Sequence, residues 1–214
     1  ALYDELKDKA RLVVGKKIRD LIIDYGVEVN SPTLNGKLVN LMLSTCIHER
    51  LDLEVWDVKG AFLKAPMNTP GVYVMLEKHI VTRMLDILKS GDKEKHKLWE
   101  AAVKPDGRLI VEVKKGWYGL ACSSMLWHNE ISATLIKEAG YTQHPLERCM
   151  YFRINEDKSQ SYIMLHVDDL GILIKPGSPE RDRLKGILEV KYEALKIQQG
   201  DKVKYIGFEI YRNR

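Results

Sequence analysis

Ser161-Tyr162-Ile163-Met164-Leu165-His166-Val167-Asp168-Asp169-Leu170-Gly171-Ile172-Leu173-Ile174 sets two apolar runs around a charged centre. Each run is rich in Ile and Leu, and Gly177 and Pro179 punctuate the far end, so each is expected to be a buried strand. Asp168 and Asp169 then lie at a tight bend between two strands. Adjacent carboxylates repel, and apolar flanks make their desolvation worse. A bound cation would offset both costs. A hairpin turn that merely tolerates Asp fits the same residues.

Upstream, Leu53, Val55 and Trp56 suggest a strand that delivers Asp57 at its C-terminal end, followed by Val58-Lys59-Gly60-Ala61-Phe62-Leu63. A carboxylate there suits chemistry, and equally a helix cap. Before it, Ser31-Pro32 has the form of a helix start, with Leu34, Leu38, Leu41, Met42 and Cys46 on one helical face. Leu6 to Val14 mixes Lys7, Lys9 and Arg11 with Leu12, Val13 and Val14. It reads as a strand edge bearing basic side chains or as a solvated segment.

After Asp57, Val72 to Met75 reads as a short strand, Ile80 to Leu88 as a short helix, and the charged run Lys89 to Lys97 as a solvated loop. Pro105-Asp106-Gly107 signals a turn into a strand over Leu109 to Val113. Gly116 and Gly119 bracket Trp117-Tyr118 ahead of a helix carrying Trp127, Ile131, Leu135 and Ala139, closed by Gly140. Those glycines suit close approach to a ligand, or plain helix–sheet packing. Cys149 to Ile154 reads as a strand, Ser178-Pro179 as a cap on a helix with Leu184, Ile187, Leu188 and Tyr192 inward, and Tyr205 to Ile210 as a closing strand. The order implies an α+β layer, an antiparallel sheet with helices on one face.

The 214 residues are 45% hydrophobic and 30% charged, the composition of a globular chain, and the net charge of +4 permits nucleic-acid binding without requiring it. No apolar run reaches the roughly 20 residues of a membrane span, and no membrane partner is expected. The three cysteines form no CxxC pair, which argues against a disulfide framework or zinc ribbon and for a reducing, intracellular compartment. The chain begins with Ala and reads as an internal piece of a longer one.

Three aspartates without His or Cys favour a hard cation, Mg²⁺ or Mn²⁺. Asp57 to Leu63 resembles motif A of reverse transcriptases of copia-type LTR retrotransposons. Lys115-Gly116-Trp117-Tyr118-Gly119-Leu120 with Leu126-Trp127 resembles motif B, and His166-Val167-Asp168-Asp169 resembles motif C. Lys9 to Val13 resembles the fingers segment, and Tyr205-Ile206-Gly207-Phe208-Glu209-Ile210 resembles motif E, the primer grip. Five motifs in order span roughly residues 7 to 211. In motif B the family's usual Gly-Leu-Lys-Gln is replaced by Gly119-Leu120-Ala121-Cys122, so the Gln that would support the nucleotide is missing.

The resemblance implies a right-hand polymerase fold. Residues 1–50 would hold the fingers segment and first helix, and 51–214 the palm core with a fingers-like insertion around 65–115, without thumb or RNase H. It implies an RNA-directed DNA polymerase, a nucleotidyltransferase acting on a template–primer and deoxynucleoside triphosphates. Asp57, Asp168 and Asp169 would be catalytic and, with Val58, would bind two metal ions. Lys9, Arg11, Phe62 and Gly119 would contact the nucleotide, with Phe62 as the gate against a ribose 2′-hydroxyl. Tyr205, Ile206, Gly207 and Phe208 would seat the primer, and Lys196 or Lys202 is a candidate for protonating pyrophosphate. The alternative is a domesticated module that packs against RNA or proteins of a larger assembly without catalysis. A metal-dependent nuclease would use the same aspartates but leave Phe62 and the primer-grip segment without a role.

Overall fold

A computed structural model describes residues 30–212. Helix α1 spans Gly36–His48, strand β1 Asp52–Val58, α2 Ala61–Lys64, β2 Tyr73–Leu76, α3 Lys78–Gly91, α4 Lys93–Ala102 and β3 Leu109–Glu112. Helix α5 spans Ser123–Ala133 and widens into a π-helical turn over Thr134–Glu138. Then come β4 Thr142–Gln143, β5 Met150–Ile154, β6 Gln160–His166, β7 Asp169–Ile174, α6 Glu180–Tyr192, β8 Leu195–Gln198, β9 Lys202–Tyr205 and β10 Phe208–Tyr211.

The central sheet has six strands in the order β4-β5-β6-β7-β1-β8, with every pairing antiparallel. The two runs flanking Asp168-Asp169 are β6 and β7, as their apolar composition leads one to expect. They are buried on both faces. Trp56, Val58, Ile163, Leu165, Leu170 and Ile172 meet Trp127, Ile131 and Leu135 of α5 and Leu184, Leu188 and Tyr192 of α6. On the other face, Leu53, Val55, Met164 and Leu173 meet Val39, Met42 and Cys46 of α1 and Val203 and Tyr205 of β9. The expectation of helices on one face is therefore corrected: α1 and the β9–β10 hairpin cover the second face. Strands apolar at successive positions leave no face suited to water.

Four further expectations change. Helix α1 starts at Gly36, because Asn35 caps it by accepting a hydrogen bond from the Lys37 N–H at 2.9 Å, while Ser31 Oγ donates to the Ser124 carbonyl at 3.3 Å. Within α1, Leu41 is 60% exposed rather than inward. The charged run from Lys89 to Lys97 is helical apart from Asp92, which accepts from the Lys95 N–H at 2.9 Å and so caps α4. Leu85 and Trp99 give α3 and α4 an apolar side against the core, leaving the charges to solvent. Finally, Tyr205 to Ile210 is not one strand but crosses a hairpin: Tyr205 ends β9, Ile206 and Gly207 form the turn with φ of +50° and +77°, and Phe208, paired with Tyr205, opens β10. Among the described residues no helix is long and apolar enough to cross a membrane.

Candidate active site

The register of β1 and β7 sets Asp57 opposite Asp169, and the far side of β1 sets Asp57 opposite Lys196 of β8. Asp168 precedes Asp169 in the two-residue turn, with its carbonyl accepting from the Val58 N–H at 3.2 Å. The three aspartates named from the sequence thus meet at one end of two neighbouring strands. Val58 lies beside them with a fully buried side chain, so only its backbone is available to the site.

Asp169 is half-buried, and burial pushes its carboxyl above the ordinary value of 3.8. The negative charges of Asp168 and Asp57 push it further in the same direction, while His166 and Lys196 oppose them. Oxygen donors crowded in this way fit a hard divalent cation. Among the described residues no three His, Cys, Asp or Glu side chains already form a ligand cluster.

The turn has an anchor that sequence reasoning missed. Val167 takes φ of +55°, which a β-branched residue rarely adopts. Its carbonyl accepts from the indole N–H of Trp127 at 2.7 Å, and the Trp127 ring is fully buried against Tyr192. Helix α5 thereby holds the turn that carries Asp168. Helical spacing places Trp127 in the core, but nothing in the sequence pairs it with residue 167, forty positions away. His166 is likewise a finding of the structure: its Nδ1 is buried with no hydrogen-bond partner.

Phe62, half-buried in α2, packs on Tyr118 with ring centroids 5.3 Å apart at 55°. The loop before α5 lies directly against α2. Gly116 N–H donates to the Ala65 carbonyl at 2.8 Å, and a Cβ at Gly116 would stand 2.5 Å from the Phe62 carbonyl oxygen. Gly116 is therefore the close backbone approach, while Gly119 is needed for its φ of +88°. Ser123 Oγ pins the same loop, accepting from the Trp117 N–H at 2.8 Å and donating to its carbonyl at 2.7 Å.

Tyr205 is buried, its hydroxyl donates to the Met164 carbonyl at 2.7 Å, and its ring rests over Gly171. Ile206 and Gly207 form the turn, and Phe208 is 52% exposed. Lys9 and Arg11 lie outside the described residues.

No protein-family model matches the chain. It is similar to a putative transposon Ty5-1 protein of Saccharomyces cerevisiae, 29% identical over 157 residues, covering 73% of this chain and 42% of that protein. It is also similar to the retrovirus-related Pol polyprotein from transposon TNT 1-94 of Nicotiana tabacum, 25% identical over 206 residues, 96% of this chain and 14% of that polyprotein. The chain thus spans less than half of each relative. Similarity to two transposon proteins is consistent with a retrotransposon-derived region.

Proposed function

We propose that this region is the catalytic part of a retrotransposon reverse transcriptase, an RNA-directed DNA polymerase with the fingers–palm arrangement of right-hand polymerases. The observation that supports it is the register of Asp57 opposite Asp169, with Asp168 in the adjoining turn. Carboxylates distant in sequence and adjacent across strands are what phosphoryl transfer with divalent metal requires.

Asp57, Asp168 and Asp169 would hold Mg²⁺ or Mn²⁺, with the Val58 backbone beside them. The ions, when bound, supply charge neutralisation at the attacking and leaving oxygens. The chain's own residues do the positioning. Trp127 fixes the turn bearing Asp168, and Tyr118 backs the Phe62 ring so that it can bar a 2′-hydroxyl. The β9–β10 hairpin, anchored by Tyr205, presents Phe208 toward solvent as a surface for the primer end.

Primer extension on an RNA template with deoxynucleotides and Mg²⁺ tests the reading. Extension by the wild type, lost in Asp168→Asn, is expected, whereas no extension by a folded wild type rejects it. The altered motif B, Gly119-Leu120-Ala121-Cys122, favours the non-catalytic alternative, a module that binds RNA or proteins. That reading predicts RNA binding by wild type and Asp168→Asn alike, without extension by either.

A further inference from the structure

Glu193, the residue after α6, takes φ of +69° and ψ of −159°. Only glycine occupies that region freely, and a side chain held there stores strain that the surroundings must compensate. Nothing about ending a helix calls for Glu, since Gly would close α6 without strain.

The Glu193 carboxylate has a cationic partner. Glu193 Oε1 lies 2.6 Å from Lys64 Nζ. Val58 pairs with Leu195, so the chain just after β1, beginning at Lys59, runs alongside the segment that holds Glu193. Lys115 is bridged to Pro66, two residues beyond Lys64. Lysines from two segments, the β1–α2 stretch and the loop before α5, thus lie on the Glu193 side, with Lys64 in direct contact and Lys59 and Lys115 acting on it by charge from further off. Lys64, then Lys59 and Lys115, hold the Glu193 carboxyl below its ordinary range. Lys64 is largely shielded, with 22% of its side chain exposed, while that of Glu193 is 83% exposed. The neighbouring Lys114 has its own partner in Glu112. The triad lies just past Asp57 in β1 but on a different group of side chains.

We propose that Lys59, Lys64 and Lys115 form a phosphate-binding site, and that the Glu193 carboxylate occupies it as a built-in competing anion. A phosphate group carries more charge and more acceptor oxygens than a carboxylate, so it can displace Glu193 and let the backbone leave its strained conformation. The phosphate comes either from the polyphosphate tail of a nucleotide or from the backbone of a nucleic-acid strand.

Binding of inorganic tripolyphosphate and of a short oligothymidylate is measured by calorimetry in EDTA, with circular dichroism confirming the fold. Without divalent ions the readout does not depend on the aspartates, and Asp168→Asn should bind as the wild type does. The polymerase reading can therefore fail while this one stands. Glu193→Gln removes the competing charge and Glu193→Gly removes charge and strain together. Each is expected to tighten phosphate binding on the order of tenfold, as freeing a mostly occupied site does. Lys59→Gln, Lys64→Gln and Lys115→Gln should each weaken binding and flatten its salt dependence. Preference for tripolyphosphate identifies a nucleotide tail, and preference for the oligonucleotide identifies a strand. If neither Glu193 variant binds either probe more tightly than the wild type, the proposal is overturned.

Discussion

At Asp169, burial and the charges of Asp168 and Asp57 all favour the protonated carboxyl. A raised folded value means that the folded state holds the proton longer than the unfolded one. Stability linked to this group is present below the ordinary value of 3.8 and is lost as pH rises through the raised one. Asp169→Asn removes that loss, so at pH 7 without metal the variant should melt above the wild type in calorimetry. Divalent ions should raise the melting temperature of the wild type and not that of the variant. Trp127→Phe keeps most of the ring packing on Tyr192 but loses the hydrogen bond to Val167. Urea unfolding should show a cost of about 1 kcal/mol. Because the same bond holds the Asp168 turn, Mn²⁺ affinity should fall with it. The aspartates were legible as chemistry from their residue type and apolar flanks. Trp127 was legible only as core.

The β9–β10 hairpin reaches the sheet through Tyr205, and Gly171 makes the fit possible. A Cβ there would stand 3.0 Å from the Tyr205 ring and 3.1 Å from the Met164 methyl. Gly171→Ala should displace the ring, costing roughly 1–3 kcal/mol by denaturant titration as over-packing does. Hydrogen exchange should increase in β9 and β10 more than in β6. Within the central sheet, Glu54 is buried, accepts from the Trp56 indole N–H at 2.7 Å and pairs with Arg181 of α6 at the same distance. Glu54→Ala leaves that indole N–H buried without an acceptor, and a loss of about 2 kcal/mol is expected. The strand pattern of β1, β6 and β7 was plain in the sequence because apolar runs bounded by turn residues leave few alternatives. The charged helix α4 was not, since charge alternation alone does not separate an exposed helix from a loop.

Across the whole molecule, two cores share one sheet, and acid acts through a histidine of the helix that packs on it. His128 on α5 is only 3% exposed, and burial first, then Arg148, brings its pKa down to about 4 from 6.5. A depressed imidazole gives stability that is present above the unfolded value and is lost as pH falls through the folded one. Between about pH 6.5 and 4 the stability should decline by up to about 1.4 kcal/mol per pH unit from this group alone. His128→Gln should flatten that part of a melting-temperature profile. The antiparallel sheet and its main strands could be read from the sequence. The covering of both faces could not, because it depends on which face α1 folds onto and on where the β9–β10 hairpin returns.

The residues themselves determined that strands would flank Asp168 and Asp169, that Asp57 would end another strand, and that any ion held by these groups would be a hard one. Those outcomes follow from apolar patterning and donor chemistry, which are local. Tertiary structure alone decided that Asp57 faces Asp169, that Trp127 holds Val167, and that Glu193 pairs with Lys64. Each of these is a meeting of segments distant in the chain. Its geometry is set by strand register and helix packing, which no single stretch of sequence contains.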